Sequence, residues 1–296
     1  MAAFSLPAFR ASVIVQPLSQ VLGARITGVD LAGPLDDETF AQVEAALHEH
    51  CFIVFPGQEL EPAQFVAFGK RWGRPEPHVI DTFHHPQDPN ILILSNAVRD
   101  GKPAGLADAG SYFHTDYSYL EVPARCTILH ALQVPRAKGG TTFANQTRAY
   151  EELPEETRRR IDPLVARHHY GNRDDLEEGS RTAASRLSEE QKRKVTWVRH
   201  RIARAHPRTG RKALYAVSGS SFAIEGMDDR DALGLLDELK AHATQPRYRH
   251  THDYQVGDVI VWDNAQLLHA APLTDPDDPR TLWRITIKEE PWPSPG

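Results

Sequence analysis

Gly257-Asp258-Val259-Ile260-Val261-Trp262-Asp263-Asn264-Ala265-Gln266-Leu267-Leu268-His269-Ala270 reads as a strand, a turn and a second strand. Val259 to Trp262 is an unbroken apolar run, the pattern of a strand buried on both faces. Asp263-Asn264 supplies turn chemistry, and the strand that follows carries His269. A buried strand that turns and feeds a second strand points to a β-rich core.

Working outward, the same pattern recurs. Short strands are expected at 13–17, 24–29, 51–55, 91–94, 125–134, 141–145, 200–206, 213–217 and 281–288. Asp36-Asp37 caps a helix with Phe40, Val43, Ala46 and Leu47 on one face. Glu61-Pro62 opens a second helix with Phe65, Phe68 and Trp72 at helical spacing, stopped by Gly73. A third is expected around 147–161, and Asp228 caps a fourth that carries Ala232, Leu235, Leu236, Leu239 and Ala243. Residues 74–90 read as loop, and 99–110 as a mobile loop. The fold class is therefore mainly β with helical decoration, best fitted by a cupin-like jelly roll, in a single domain over 1–296. One stretch differs: 171–196 is mostly charged or small. It reads either as a disordered surface loop or as a lid insertion that orders over a substrate.

Composition narrows the function classes. The chain has 296 residues, 40% of them hydrophobic, which suffices for a large core. A net charge of −6 with no basic stripe argues against a nucleic-acid partner. No apolar run approaches the length of a membrane span, and the N-terminus has no signal-peptide pattern. Cys51 and Cys126 both lie in apolar runs and read as reduced, buried thiols of a cytoplasmic protein.

The chemistry is expected at Phe113-His114-Thr115-Asp116. Residues i and i+2 of a strand point to one side, so His114 and Asp116 can occupy neighbouring positions on one metal. His269, from another strand, would complete a facial triad of two imidazoles and a carboxylate, the donor set of a non-haem Fe(II) site with open positions. A structural zinc site would favour thiolates, and neither cysteine is near the motif. A His-x-Asp spacing alone is weak in a chain with 15 histidines. An inert hydrogen-bonded pair on an edge strand remains the alternative.

The chain resembles the taurine dioxygenase family, which includes 2,4-dichlorophenoxyacetate dioxygenase. The matching segments are Gly28-Val29-Asp30-Leu31, Phe55-Pro56-Gly57-Gln58, Phe113-His114-Thr115-Asp116, Gly139-Gly140-Thr141-Thr142-Phe143, Gly257-Asp258 through Trp262-Asp263-Asn264, His269, and Arg280 with Arg284. They occur in family order over nearly the whole chain. The resemblance implies a double-stranded β-helix that uses Fe(II), 2-oxoglutarate and O₂ to hydroxylate a small molecule, releasing succinate and CO₂. Desaturation and other outcomes stay open. It implies His114, Asp116 and His269 as metal and catalytic residues. Arg280 and Thr142 are implied to bind 2-oxoglutarate, and Arg284 to sit near the cosubstrate and near an anionic substrate head. His78 and Tyr117 are expected at the substrate, which would be a sulfonate, sulfate ester or carboxylate; the Tyr-Ser-Tyr run at 117–119 would tolerate an aromatic or longer body. Gly110 stands where some relatives have asparagine, and Ala265 departs from the usual turn. A homo-oligomer, dimer or tetramer, is expected by family habit. Two other readings stand beside this one: a cupin-like metalloenzyme that uses no keto acid, and a non-catalytic β-rich binding protein.

Overall fold

The computed structural model describes residues 12–107, 110–136, 139–171 and 196–290. Its centre is an eight-stranded sheet, in the order Ile14–Pro17, Ala24–Thr27, Phe52–Phe55, Val259–Asp263, Ala124–Gln133, Thr281–Lys288, Asp88–Ser95 and His84–His85. A three-stranded sheet of Arg249–His252, Thr141–Asn145 and Leu267–Ala270 packs against it. Successive strands pass between the two. Ala124–Gln133 lies in the large sheet and Thr141–Asn145 in the small one; Val259–Asp263 returns to the large sheet, Leu267–Ala270 to the small, and Thr281–Lys288 to the large. That alternation is the winding of a jelly roll, and its pairings among these strands are antiparallel.

The period of two along each strand sorts side chains into three cores. Ile53, Phe55, Ile128, Val259, Val261, Ile285 and Ile287 face one way, onto the helices Asp37–His50 and Pro62–Trp72, where they meet Val43, Leu47, Phe65, Phe68 and Trp72. Phe52, Val54, Leu129, Ile260, Trp262 and Leu282 face the other way and pack on Phe143 and Leu267 of the small sheet. On the small sheet's outer face, Ala144 and Leu268 join Leu235, Leu236 and Leu239 of the helix Asp229–Ala243. The apolar run at Val259–Trp262 is continuous because both of its faces are covered.

Helix boundaries follow their caps. The Asp36 carboxylate accepts from the Thr39 amide, and the Asp228 carboxylate from the Asp231 amide. Glu61 and Gln64 form a capping box around Pro62.

Several expectations are corrected. The helix around 147–161 is two, Gln146–Glu151 and Glu155–Ile161. Pro154 breaks it, because a proline cannot donate within a helix and pushes the preceding residue toward an extended conformation. The strand at 200–206 is also two, Val198–Arg201 and Ala203–Ala205, in different sheets on either side of buried Ile202. The loop at 99–110 contains part of a small hairpin, Val98–Arg99 with Lys102–Pro103, and Leu106 bridges to Leu94; residues 108–109 lie outside the described residues. His114 lies in an isolated bridge rather than an edge strand, and Asp116 opens a turn. The lid expected at 171–196 lies outside the described residues from 172 to 195. Among the described residues no helix is long and apolar enough to cross a membrane.

Both cysteines are free and buried. Burial pushes the Cys51 thiol up to about 12 and raises Cys126 as well.

Phe65 is fully buried where the second helix meets the large sheet. Phe65→Ala should lower stability by about 3–5 kcal/mol, read as a shift of the urea midpoint with an unchanged slope.

Candidate active site

The site lies between the two sheets. His114 and His269 form a hydrogen-bonded antiparallel pair: each amide donates to the other's carbonyl at 2.9 Å. Paired residues present side chains to one face, and the imidazole centroids are 4.1 Å apart. The turn after His114 then brings Asp116 round. Tyr117 takes a positive φ of 56°, a sharp bend that is uncommon for a residue of this size. Asp116 Oδ1 lies 3.7 Å from His114 Nε2, and Oδ2 lies 3.6 Å from His269 Nε2. The three donor groups all fall within 4.8 Å of one another.

Protonation suits a metal. His114 Nδ1 donates to the Tyr112 carbonyl at 2.9 Å once Nε2 is left as the acceptor. Burial pushes His114 below the usual histidine range and His269 well below it, with neighbouring His114 adding to the effect on His269. Burial alone would raise the Asp116 carboxyl. Only together do the Arg284 guanidinium, the two imidazoles and the Thr127 hydroxyl override it, and they hold Asp116 well below the ordinary carboxylate range. Two neutral imidazoles and an ionised carboxylate therefore converge, a donor set that fits a divalent iron with open positions.

Two cavities meet at this triad. One, of about 70 Å³, is lined by His78, Tyr112, Tyr117, Tyr119, Tyr170 and Arg284, among others. The other, of about 40 Å³, is lined by Leu94, Leu129, Thr141, Trp262, Arg280 and Arg284, among others. His114 and Gly110 border both. A Cβ on Gly110 would stand 2.4 Å from His114 Cε1, so the ring leaves no room there for the asparagine of some relatives.

Of the residues expected here, His114, Asp116, His269, Arg280, Arg284, His78 and Tyr117 are brought together. Arg284 Nη2 donates to Asp116 Oδ1 at 2.7 Å, and Arg284 Nε to Thr286 Oγ1 at 3.2 Å. Arg280 is buried, with its guanidinium 5.8 Å from the Tyr254 ring centre. His78 sits 6.0 Å from Tyr117, ring to ring. Burial, with Arg284 second, pushes His78 down to about 3, so it is neutral. Burial pushes Tyr117 up to about 12.

Thr142 is the exception. Its hydroxyl meets Thr251 on the outer face of the small sheet, away from both cavities. Phe143 pairs with His269 and faces inward with it, so strand alternation sends Thr142 outward and Thr141 inward. Thr141 Oγ1 lies 2.8 Å from the Tyr254 hydroxyl, at the Arg280 end of the smaller cavity. The register that decides between the two threonines was not legible from their spacing. Tyr112 and Tyr170 also line the larger cavity, and nothing local in the sequence marks them.

A second group, His48, His206 and Asp263, also falls within ligand spacing. His206 Nδ1 accepts from the Arg208 and Thr209 amides, so Nε2 carries the proton it donates to Asp263 at 2.8 Å. Both nitrogens are thereby committed, and the group is a hydrogen-bonded brace for the Asp263 turn.

A jelly roll with two imidazoles and a carboxylate at its centre fits a non-haem iron oxygenase, and the family match makes the protein an oxidoreductase of the 2-oxoglutarate-dependent class. Residues 14–286 match the taurine catabolism dioxygenase TauD, TfdA family, and the chain belongs to that family. It is 32% identical over 272 residues to pentalenolactone F synthase of Streptomyces arenae, covering 89% of this chain and 91% of the relative. It is 32% identical over 289 residues to (S)-phenoxypropionate/alpha-ketoglutarate-dioxygenase of Delftia acidovorans, covering 94% and 95%. Among solved structures it is similar to AAD-2 in complex with Mn(II) and N-oxalylglycine, with a TM-score of 0.80, 27% identity, and coverage of 96% and 100%. It is also similar to a taurine dioxygenase from Burkholderia xenovorans, with a TM-score of 0.77, 30% identity, and coverage of 94% and 90%. Fe(II), 2-oxoglutarate and O₂ are the cofactor and cosubstrates of this class.

Asp116→Ala or His269→Ala should weaken Mn(II) binding by more than roughly 100-fold, beyond what loss of an outer partner alone costs. Calorimetric titration reads it, and wild-type affinity in either variant would remove that residue from the triad.

Proposed function

We propose that the protein hydroxylates a small organic anion, a carboxylate with an aromatic or extended apolar body, in the larger cavity, while 2-oxoglutarate occupies the smaller one. The observation that carries this reading is the pair of cavities meeting at one triad, each furnished with a buried arginine. In the smaller, Arg280 and Thr141 lie at the end where the distal carboxylate of 2-oxoglutarate would be held. A guanidinium suits that task, because it offers two parallel charge-assisted hydrogen bonds. In the larger, Arg284 would bind the substrate anion, His78 stays neutral beside it, and Tyr117, Tyr119 and Tyr170 supply ring faces and edges for an apolar body. The name of the relative from Delftia acidovorans, a phenoxypropionate dioxygenase, supports a substrate of that kind. Sulfonates and sulfate esters share the anionic head and are the next compounds to test.

His114, Asp116 and His269 would hold the iron. Iron held there would let O₂ act as the four-electron oxidant, two electrons coming from 2-oxoglutarate, which becomes succinate and CO₂, and two from the substrate C–H, which becomes C–OH. The protein's own part is to fix both organic anions against the triad and keep water from the reacting carbon. The two free buried thiols support a cytoplasmic setting. The family match over residues 14–286 supports reading the chain as one domain.

The proposal assigns different anions to the two arginines. Arg280→Ala should raise the half-saturating 2-oxoglutarate concentration about 10–100-fold, the worth of one or two charged hydrogen bonds, and leave the substrate KM within a few-fold. Arg284→Met should flatten the preference for a carboxylate over its neutral amide. The reverse pattern would exchange the two cavities. Thr141→Ala should raise the 2-oxoglutarate requirement, whereas Thr142→Ala, on the outer face, should leave it unchanged; both are read by initial-rate kinetics.

A further inference from the structure

The Trp262-Asp263-Asn264 turn touches neither cavity through Asn264, yet the Asn264 side chain is almost completely buried. Its hydrogen bonds lead to the triad. Trp262 Nε1 lies 3.1 Å from Asn264 Oδ1, and the Asp116 amide nitrogen lies 3.3 Å from the same oxygen. An indole and a backbone amide can only donate, so two independent donors fix which way the Asn264 amide faces. Its Nδ2 is then directed at Thr127 Oγ1, 3.0 Å away. That bond occupies a lone pair of the Thr127 hydroxyl, whose proton is left to point at Asp116 Oδ2, 2.6 Å distant. Every proton in the chain Trp262, Asn264, Thr127, Asp116 therefore has one direction. Thr127 pairs with Trp262 across the sheet, which sets the spacing.

We propose that Thr127 and Asn264 are positioning residues for the metal: the Thr127 hydroxyl, oriented by Asn264, holds the Asp116 carboxylate at the rotation that its metal bond requires. This rests on the reading that His114, Asp116 and His269 hold the metal. With Thr127 on Oδ2 and Arg284 on Oδ1, each carboxylate oxygen has a fixed partner and the plane cannot swing about its Cβ–Cγ bond. Arg284 is shared with the substrate cavity, whereas Thr127 and Asn264 are walled off from both, so their hold on Asp116 is independent of which anion is bound. Asn264 grips the same residue a second time, through the Asp116 amide, which sets where the turn after His114 begins. Outer partners of this kind fix ligand orientation and commonly alter metal affinity 10–100-fold.

The test uses the full chain and metal alone. Mn(II) and Co(II) are titrated into the wild type, T127V, T127S, N264A, the T127V/N264A double variant and H114A. Affinity and the Co(II) visible spectrum are the readouts, with thermal unfolding in the absence of metal as the control for fold. T127V keeps the shape and removes the donor. It should weaken Mn(II) binding about 10–100-fold and shift the Co(II) bands, as expected for a lost outer partner. T127S restores the hydroxyl and should bind within about 3-fold of wild type, with its spectrum. Because the loss of Asn264 includes the loss of its hold on Thr127, the double variant should bind within about 3-fold of the weaker single variant, the sign of coupled neighbours. Wild-type affinity and spectrum in T127V would overturn the proposal. So would a T127S as impaired as T127V, since packing rather than the hydroxyl would then matter. Should T127V not fold, T127A is read the same way, and wild-type affinity in it overturns the proposal equally. A wild type that binds metal no better than H114A would instead sink the triad itself, a result distinct from failure of the positioning role.

Discussion

Two backbone hydrogen bonds between His114 and His269 carry more of this structure than any side-chain contact. They tie a segment with no regular secondary structure to a strand of the small sheet, and in doing so place two imidazoles side by side on the face that looks into the jelly roll. Everything local is arranged around that pair. Ala271 donates to the Gly110 carbonyl just beyond it, and the Thr115 hydroxyl donates to the Leu267 carbonyl. The segment thus borrows the order of the sheet at several points. A loop held this way can carry an abrupt turn at Asp116 and a positive φ at Tyr117 without losing its place.

Burial then acts in opposite senses on the two kinds of donor. For an imidazole, desolvation opposes protonation, and no nearby carboxylate is strong enough to restore it at His269. For Asp116, desolvation opposes ionisation, but the Arg284 guanidinium at 2.7 Å, together with the two imidazoles and the Thr127 hydroxyl, outweighs it. The carboxylate stays charged and the imidazoles neutral from the same low-dielectric setting. A buried arginine beside a buried aspartate does little for stability by itself, since desolvation consumes much of the attraction. Its value here is the ionisation state that it helps to enforce and its reach into both cavities.

Much of this was legible in the sequence, for physical reasons that differ by element. The run at Val259–Trp262 announced a strand covered on both faces, and the cap at Asp228 with its apolar stripe announced the helix Asp229–Ala243. Phe113-His114-Thr115-Asp116 and His269 could be linked only because the intervening segments follow a known family order. The strand assigned to His114 and Asp116 was wrong in kind, because a single bridge and a turn carry no period that a sequence displays. Thr142 was chosen over Thr141 for a related reason. Two adjacent threonines on a strand differ only in face, and the face follows from the pairing of Phe143 with His269. The tyrosines of the larger cavity come from segments 112–119 and 170, and only the tertiary fold assembles them. The two helices that replace a single one across 147–161 show the opposite case: Pro154 stands in plain view, and its power to break a helix outweighs the surrounding helix formers.

The layering of the fold explains why the site can be both rigid and accessible. The large sheet is gripped by helices on its outer face and by the small sheet on its inner face, so Thr127, Trp262 and Arg284 project from strands with paired neighbours on both sides. Strands of the large sheet therefore supply Thr127 and Arg284, and the buried turn that ends one of them supplies Asn264, to orient Asp116, while Tyr117, Tyr119 and Tyr170, which shape the larger cavity, come from turns and a bend between strands. Orientation of the metal ligand must survive any change of substrate; the cavity wall need not. Placing the first on the sheet and its buried turn and the second on connecting segments lets one vary without disturbing the other.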